Sequence, residues 1–156
     1  MRRGESATSA SDSLTCVDAS VVVKWLIEEA DRDRALKLHD DVWAGGGAFV
    51  APAWSLAEAS SAIYKRVQQG SLIPDDALPL IDQLEDLKIR RVSPVGLSRR
   101  AFEIAAQFQL KWIYDAFYVA LAEIIGCDLW TADEALHDAV RDAHANVRLL
   151  SDYPIA

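Results

Sequence analysis

Short apolar runs and amphipathic stretches alternate along almost the whole chain. Leu14 to Ala19 (LTCVDA) is an apolar run that ends in an acid, the pattern of a strand buried on both faces of a parallel sheet. A helix follows, with Val21, Val22, Trp25 and Leu26 as its apolar face, and the acidic stretch from Glu28 to Asp31 ends it before a second helix from about Arg32 to Trp43. Gly45, Gly46 and Gly47 break the chain, Ala48 to Ala51 reads as a second strand closed by Pro52, and a helix extends from about Trp54 to Gln69, stopped by Gly70. Pro74, Asp75 and Asp76 open another helix that runs to about Leu87. Ile89 to Val92 predicts a third strand, and Ser98 to Leu110 has helical spacing. Tyr114, Phe117, Tyr118, Leu121, Ala122 and Ile125 then recur as one apolar stripe ended by Gly126. Cys127 to Thr131 predicts a fourth strand, Glu134 to Ala143 a helix, and Val147 to Leu150 a last strand. This order predicts an α/β fold: a three-layer α/β/α domain with a central parallel sheet of four to five strands and right-handed crossovers.

Length and composition narrow the picture. With 156 residues, 51% of them hydrophobic, the chain suits one compact domain with a continuous core, from residue 14 to 156. Met1 to Ser13 is rich in Ser, Ala, Gly and Asp without apolar periodicity and reads as a flexible leader. It lacks the pattern of a secretion signal, and no later run is long and apolar enough to span a bilayer, so the expected setting is the cytoplasm. Cys16 and Cys127 lack the paired spacing of a zinc site or a thioredoxin-like motif and read as small buried residues. The formal net charge of −8 argues against broad attraction to nucleic acid, unless part of the acid sits in a site neutralised by divalent cations and basic residues cluster elsewhere.

The position of the acids supplies the candidate chemistry. In a parallel sheet every strand ends, and every following helix begins, at one edge, where ligands bind. Asp18 ends the first strand, Glu58 lies about one turn into the helix after the second, Asp115 opens the helix before the fourth, and Asp133 follows the fourth. If the first and fourth strands are neighbours, all four face one crevice. Plainer roles exist: Asp115 and Asp133 also suit helix N-termini, and Thr131 with Glu134 has the spacing of a capping box. Several carboxylates in one crevice nevertheless repel one another and resist ionisation without cations. An all-oxygen donor set favours Mg²⁺ or Mn²⁺, which would promote attack of water on a phosphodiester. Ser20 and Thr131 are placed to orient a carboxylate or a water, or to bond the local backbone.

The segments VDAS (Val17 to Ser20), AEAS (Ala57 to Ser60), YDAFYVALAE (Tyr114 to Glu123) and TADEAL (Thr131 to Leu136) resemble, in that order, the motifs of PIN-domain ribonucleases, and most of all the VapC toxins of bacterial toxin–antitoxin pairs. The resemblance covers Leu14 to about Leu150. It implies a PIN-like nuclease domain with Asp18, Glu58, Asp115 and Asp133 as metal-binding catalytic acids, supported by Ser20 and Thr131. It also implies Mg²⁺- or Mn²⁺-dependent endonucleolytic cleavage of RNA, homodimerisation, and inhibition by a cognate antitoxin laid into a groove, for which Trp43, Trp54 and Tyr64 are candidate walls. Candidate phosphate contacts are the pairs Arg90 and Arg91, Arg99 and Arg100, and Lys65 and Arg66, with Lys24 beside the first acid.

Two other uses of acids on a parallel sheet fit less well. A phosphoacceptor receiver needs adjacent acids after the first strand and a Lys after the last, and Val17-Asp18-Ala19 and Leu149 to Asp152 have neither. A phosphatase with an aspartyl nucleophile needs a second acid two residues after Asp18, where Ser20 stands. A third alternative is a nuclease fold that serves only as a binding module, against which the complete acid set argues.

Overall fold

The structure is a computed structural model that describes residues 13–155. The leader expected over Met1 to Ser13 therefore lies outside the described residues except for Ser13, whose carbonyl accepts the Ala48 N–H at 3.0 Å. Five strands alternate with helices: β1 (Leu14–Val17), α1 (Ala19–Leu26), α2 (Arg32–Ala44), β2 (Ala48–Pro52), α3 (Ser55–Gln68), α4 (Pro74–Asp86), β3 (Ile89–Val92), α5 (Leu97–Phe108), α6 (Ile113–Ile125), β4 (Asp128–Thr131), α7 (Glu134–Val140) and β5 (Val147–Leu149), closed by a 3-10 turn at Leu150–Asp152.

All pairings are parallel and the strand order is β3-β2-β1-β4-β5. Winding runs outward from β1 through β2 and β3, then restarts on its other side with β4 and β5. The register sets Cys16 beside Val50 and Leu129, and Val17 beside Trp130. Because side chains alternate across a strand, each register row serves one face. Cys16, Val50 and Leu129 pack against α5, α6 and α7, whereas Val17 and Phe49 pack against α1 to α4. Burial on both faces accounts for the unbroken apolar runs in the strands. The expected three-layer α/β/α architecture is thus present, with five strands.

Two glycines hold the connections. Gly47 brings the α2–β2 turn so close to the start of β1 that a Cβ there would stand 2.7 Å from the Ser13 carbonyl oxygen. Gly126 ends α6 at φ 79°, in the left-handed region that favours glycine. One boundary differs from the sequence reading: α7 stops at Val140 rather than Ala143, because the Ala143 and His144 N–H groups both turn back onto the Val140 carbonyl.

Candidate active site

The adjacency of β1 and β4 puts the four predicted acids at one sheet edge. Asp18 follows the last residue of β1 and is the N-cap of α1, its carboxylate accepting the Val21 N–H at 3.3 Å. The Ser20 and Thr131 hydroxyls both donate to the same carboxylate. Each hydroxyl also accepts from the β4–α7 turn, Ser20 from Ala132 N–H and Thr131 from Asp133 N–H, both at 3.0 Å. The two roles considered for these hydroxyls therefore coexist, and together they tie the end of β1 to the end of β4. Asp133 caps α7 by accepting the Leu136 N–H at 3.0 Å. The capping-box reading of Thr131 is corrected here: Thr131 is the last, fully buried residue of β4, and Asp133 is the cap. Asp115 lies in the first turn of α6 and Glu58 in the first turn of α3.

Electrostatics couple the four. Asp18 is almost wholly buried, and burial lifts it from an ordinary 3.8 to about 6; bonds from Ser20, Thr131 and Val21 pull down and the charge of Asp133 pushes up. Asp115 is lifted to about 6 by burial, then by Asp133 and Asp18. Glu58 is lifted to about 7 by burial, then by Asp18 and Asp115. Each of these three carboxylates is thus disfavoured as an anion both by loss of water and by its neighbours.

Two polar atoms at the floor of the site are buried without a hydrogen-bond partner: Glu58 Oε2 and the Tyr118 hydroxyl. Tyr118, one turn after Asp115, is raised by burial and by the charges of Glu58 and Asp18; its hydroxyl exerts a small opposing pull on Glu58 without meeting hydrogen-bond geometry. Sequence reasoning placed Tyr118 in the core stripe and missed this polar end, since periodicity is blind to what a ring's hydroxyl meets.

Among the described residues, no three His, Cys, Asp or Glu side chains are yet gathered to hold an ion. The four acids share a sheet edge and influence one another electrostatically, short of a ready-made cage. The donor chemistry still fits a hard divalent cation. It is all oxygen, in part unpartnered, and made of anions that a cation would stabilise.

An open groove of about 570 Å³ reaches two of these acids, Glu58 and Asp133, and runs along one stripe of α3, lined there by Ala62, Lys65, Arg66 and Gln69 and faced by Ser20 and Lys24. Of the basic residues singled out, Lys24, Lys65 and Arg66 reach this groove. Lys24 is engaged, bonding Glu29 at 3.0 Å and the Ala30 carbonyl at 2.8 Å, and Arg66 binds the same Glu29. Glu29 is a partner that the sequence did not point to. Arg100 is held by Glu103 and by Glu123, the latter at the opposite end of α6 from Asp115, and Arg91 lies against the Leu84 carbonyl. Arg90 lines a separate groove with Trp43, Gly47, Ala48 and Lys88, where β2 and β3 begin, so Trp43 sits at the edge away from the acids. Trp54 does stand by the site, its ring edge-on to Tyr114, Phe117 and Tyr118, while Tyr64 is exposed on α3.

A strand order that reverses at β1, with acids ending β1 and β4 and opening α3 and α6, is the arrangement the sequence motifs anticipated. The family model described as "PIN domain" matches residues 15–142. Ribonuclease VapC3 of Mycobacterium tuberculosis is 34% identical over 130 residues, 83% of this chain and 89% of that one. Ribonuclease VapC9 of the same organism is 37% identical over 82 residues, 53% of this chain, and the match spans only 62% of VapC9. Two solved structures share the fold: PAE2754 from Pyrobaculum aerophilum (TM-score 0.62, 20% identity, 90% of this chain and 92% of that one) and M. tuberculosis VapC20, described as a sarcin–ricin loop cleaving toxin (TM-score 0.61, 17% identity, 86% and 98%). The chain belongs to the PIN domain family, as a VapC-type member.

Proposed function

We propose that this protein is a metal-dependent endoribonuclease that hydrolyses RNA phosphodiester bonds, and the toxin of a toxin–antitoxin pair. One observation carries the reading: four acids from four separate elements share a sheet edge where burial and mutual repulsion raise three of them above the ordinary carboxylate range. A purely structural set of helix-capping acids has no reason to be gathered where each opposes the ionisation of the next. Relatives named as VapC ribonucleases support the same chemistry.

In this reading Asp18, Glu58, Asp115 and Asp133 would hold Mg²⁺ or Mn²⁺. When bound, such a cation supplies Lewis-acid polarisation of the phosphodiester and a more acidic water. Ser20 and Thr131 orient the Asp18 carboxylate, and their second bonds to the β4–α7 turn keep Asp133 in step with it. Glu58 and Asp115, raised to about 7 and about 6, would give up their protons on holding such a cation. The cognate antitoxin and a homodimeric state belong to the same proposal and rest on the VapC likeness.

Purified Asp18→Asn and Asp115→Asn variants should retain the far-ultraviolet circular dichroism of the parent while losing at least about a hundredfold in RNA cleavage with Mg²⁺ or Mn²⁺. Undiminished cleavage by either would overturn the assignment. Expression without a partner should arrest growth and the same substitutions should relieve the arrest; harmless expression of an active enzyme would remove toxin status and leave the nuclease chemistry standing.

A further inference from the structure

Resting on the metal-dependent reading of the acid crevice, we propose that Glu29 is a positioning residue for it. Its carboxylate bridges Lys24 of α1 and Arg66 of α3, and so fixes the spacing at which Asp18, the cap of α1, and Glu58 of α3 meet one divalent cation. Glu29 lies in the connection between α1 and α2. One of its oxygens takes the Lys24 ammonium at 3.0 Å and the other takes the Arg66 guanidinium. The connection itself is pinned from both sides. Lys24 also donates to the Ala30 carbonyl at 2.8 Å, the Glu29 carbonyl accepts the Arg32 N–H at 3.3 Å, and the Arg32 side chain reaches back to the Lys24 carbonyl at 3.2 Å.

The bridge stands on the helix faces that carry the site. Lys24 is about one turn along α1 from Ser20, which bonds Asp18, and Arg66 is about two turns along α3 from Glu58; all four line the same groove. The intervening groove residues, Val23 on α1 and Ala62 on α3, are apolar. Apolar contact is non-directional, so it sets how closely two helices approach better than the register in which they stop. A carboxylate with both oxygens committed to cations on opposite walls supplies the missing direction. Stability by itself does not call for charges here. The Lys24 and Glu29 side chains are only 12% and 17% exposed, and apolar residues of similar volume are often as stable as a buried ion pair.

The test is a calorimetric titration of the full chain with Mn²⁺, in the absence of RNA, for the parent, Glu29→Gln, Arg66→Met and the double variant. Glu29→Gln removes a negative charge and Arg66→Met a positive one, so charge acting through space would weaken cation binding in the first and strengthen it in the second. The bridge predicts the same sign for both: each should raise the Kd for Mn²⁺ about tenfold, and the double variant should be no worse than either single one. RNA cleavage by Glu29→Gln should fall at low Mn²⁺ and return to within a few-fold of the parent at saturating Mn²⁺, because the bridge places carboxylates and takes no part in the chemistry. Opposite shifts in the two variants, or an unchanged Kd in Arg66→Met, would overturn the proposal. So would a loss of kcat in Glu29→Gln that saturating Mn²⁺ does not restore. The Arg66 side chain is 34% exposed, so Arg66→Met decides the matter even if Glu29→Gln does not fold. If the parent binds Mn²⁺ and cuts RNA while Arg66→Met binds Mn²⁺ equally well, the bridge alone fails. If both variants lose Mn²⁺ affinity and the parent cuts no RNA, the nuclease reading fails and the bridge stands; a parent that neither binds Mn²⁺ nor cuts RNA with it removes both.

Discussion

Thr131 shows how much a single side chain carries at this site. Its hydroxyl is fully buried, donates to Asp18 and accepts from the Asp133 N–H, so one oxygen couples two of the four acids. Replacing it with valine keeps the shape and strands a half-buried N–H and a buried carboxylate lone pair, at a cost of about 1–3 kcal/mol. Thr131→Val should therefore lower the urea midpoint and cut cleavage by about tenfold or more, while Thr131→Ser restores both. A valine variant equal to the parent in both measurements would show that the tie between β1 and β4 does not matter. Glu58 illustrates the complementary point. Its place in the first turn of α3 could be read from the chain, but its unpartnered, buried Oε2 appears only once Asp18, Asp115 and Tyr118 surround it.

At the scale of elements, α6 is where local signals and tertiary context meet. Its apolar stripe predicted a helix packed on the sheet, and Tyr118, Leu121 and Ala122 are indeed fully buried. Tyr114 departs from that stripe: it sits at the open N-terminal end, beyond the sheet edge, where no layer remains to cover it. The other end is set by Gly126 in the left-handed region with open space around its α-carbon, so any cost of a side chain there is backbone strain alone. Gly126→Ala should cost about 1 kcal/mol by thermal or urea denaturation with cleavage per folded molecule preserved. An unchanged midpoint would mean that the turn relaxes without penalty. Most helix limits were legible in this way because caps, prolines and glycines act within a turn of themselves. The end of α7 was not, since the turn after Val140 replaces its last bonds with others of similar local appearance.

For the whole molecule, the acids link pH, cation binding and stability. Asp18, Asp115 and Glu58 have folded-state pKa values raised to about 6, 6 and 7 from ordinary values of 3.8, 3.8 and 4.5. Between those limits the folded chain binds more protons than the unfolded one, so stability falls as pH rises. Without divalent cations the protein should be most resistant below about pH 4 as far as these groups are concerned, and should lose ~2 kcal/mol or more by pH 7.5. Asp18→Asn should flatten part of that slope, and Mg²⁺ or Mn²⁺ should restore stability at pH 7.5 more than at pH 5, because cation and proton compete for the same oxygens. Thermal denaturation across pH, with and without the cation, measures all of this. A metal-free curve that rises from pH 5 to 7.5 in step with the acids would contradict the site's electrostatics. No described helix is long and apolar enough to cross a membrane.

The chain alone determined the alternation of strands and helices, because hydrophobic period, glycine and proline act over a few residues, and it marked the acids that end strands or open helices. Only the tertiary structure decided that β1 lies beside β4, for strand order depends on contacts between segments more than a hundred residues apart. The same long-range packing decided which cations are already engaged by Glu29, which tyrosine keeps a buried hydroxyl without a partner, and which aromatics remain open at the rim. Desolvation and charge coupling are properties of neighbours in space, and no spacing along the sequence encodes them.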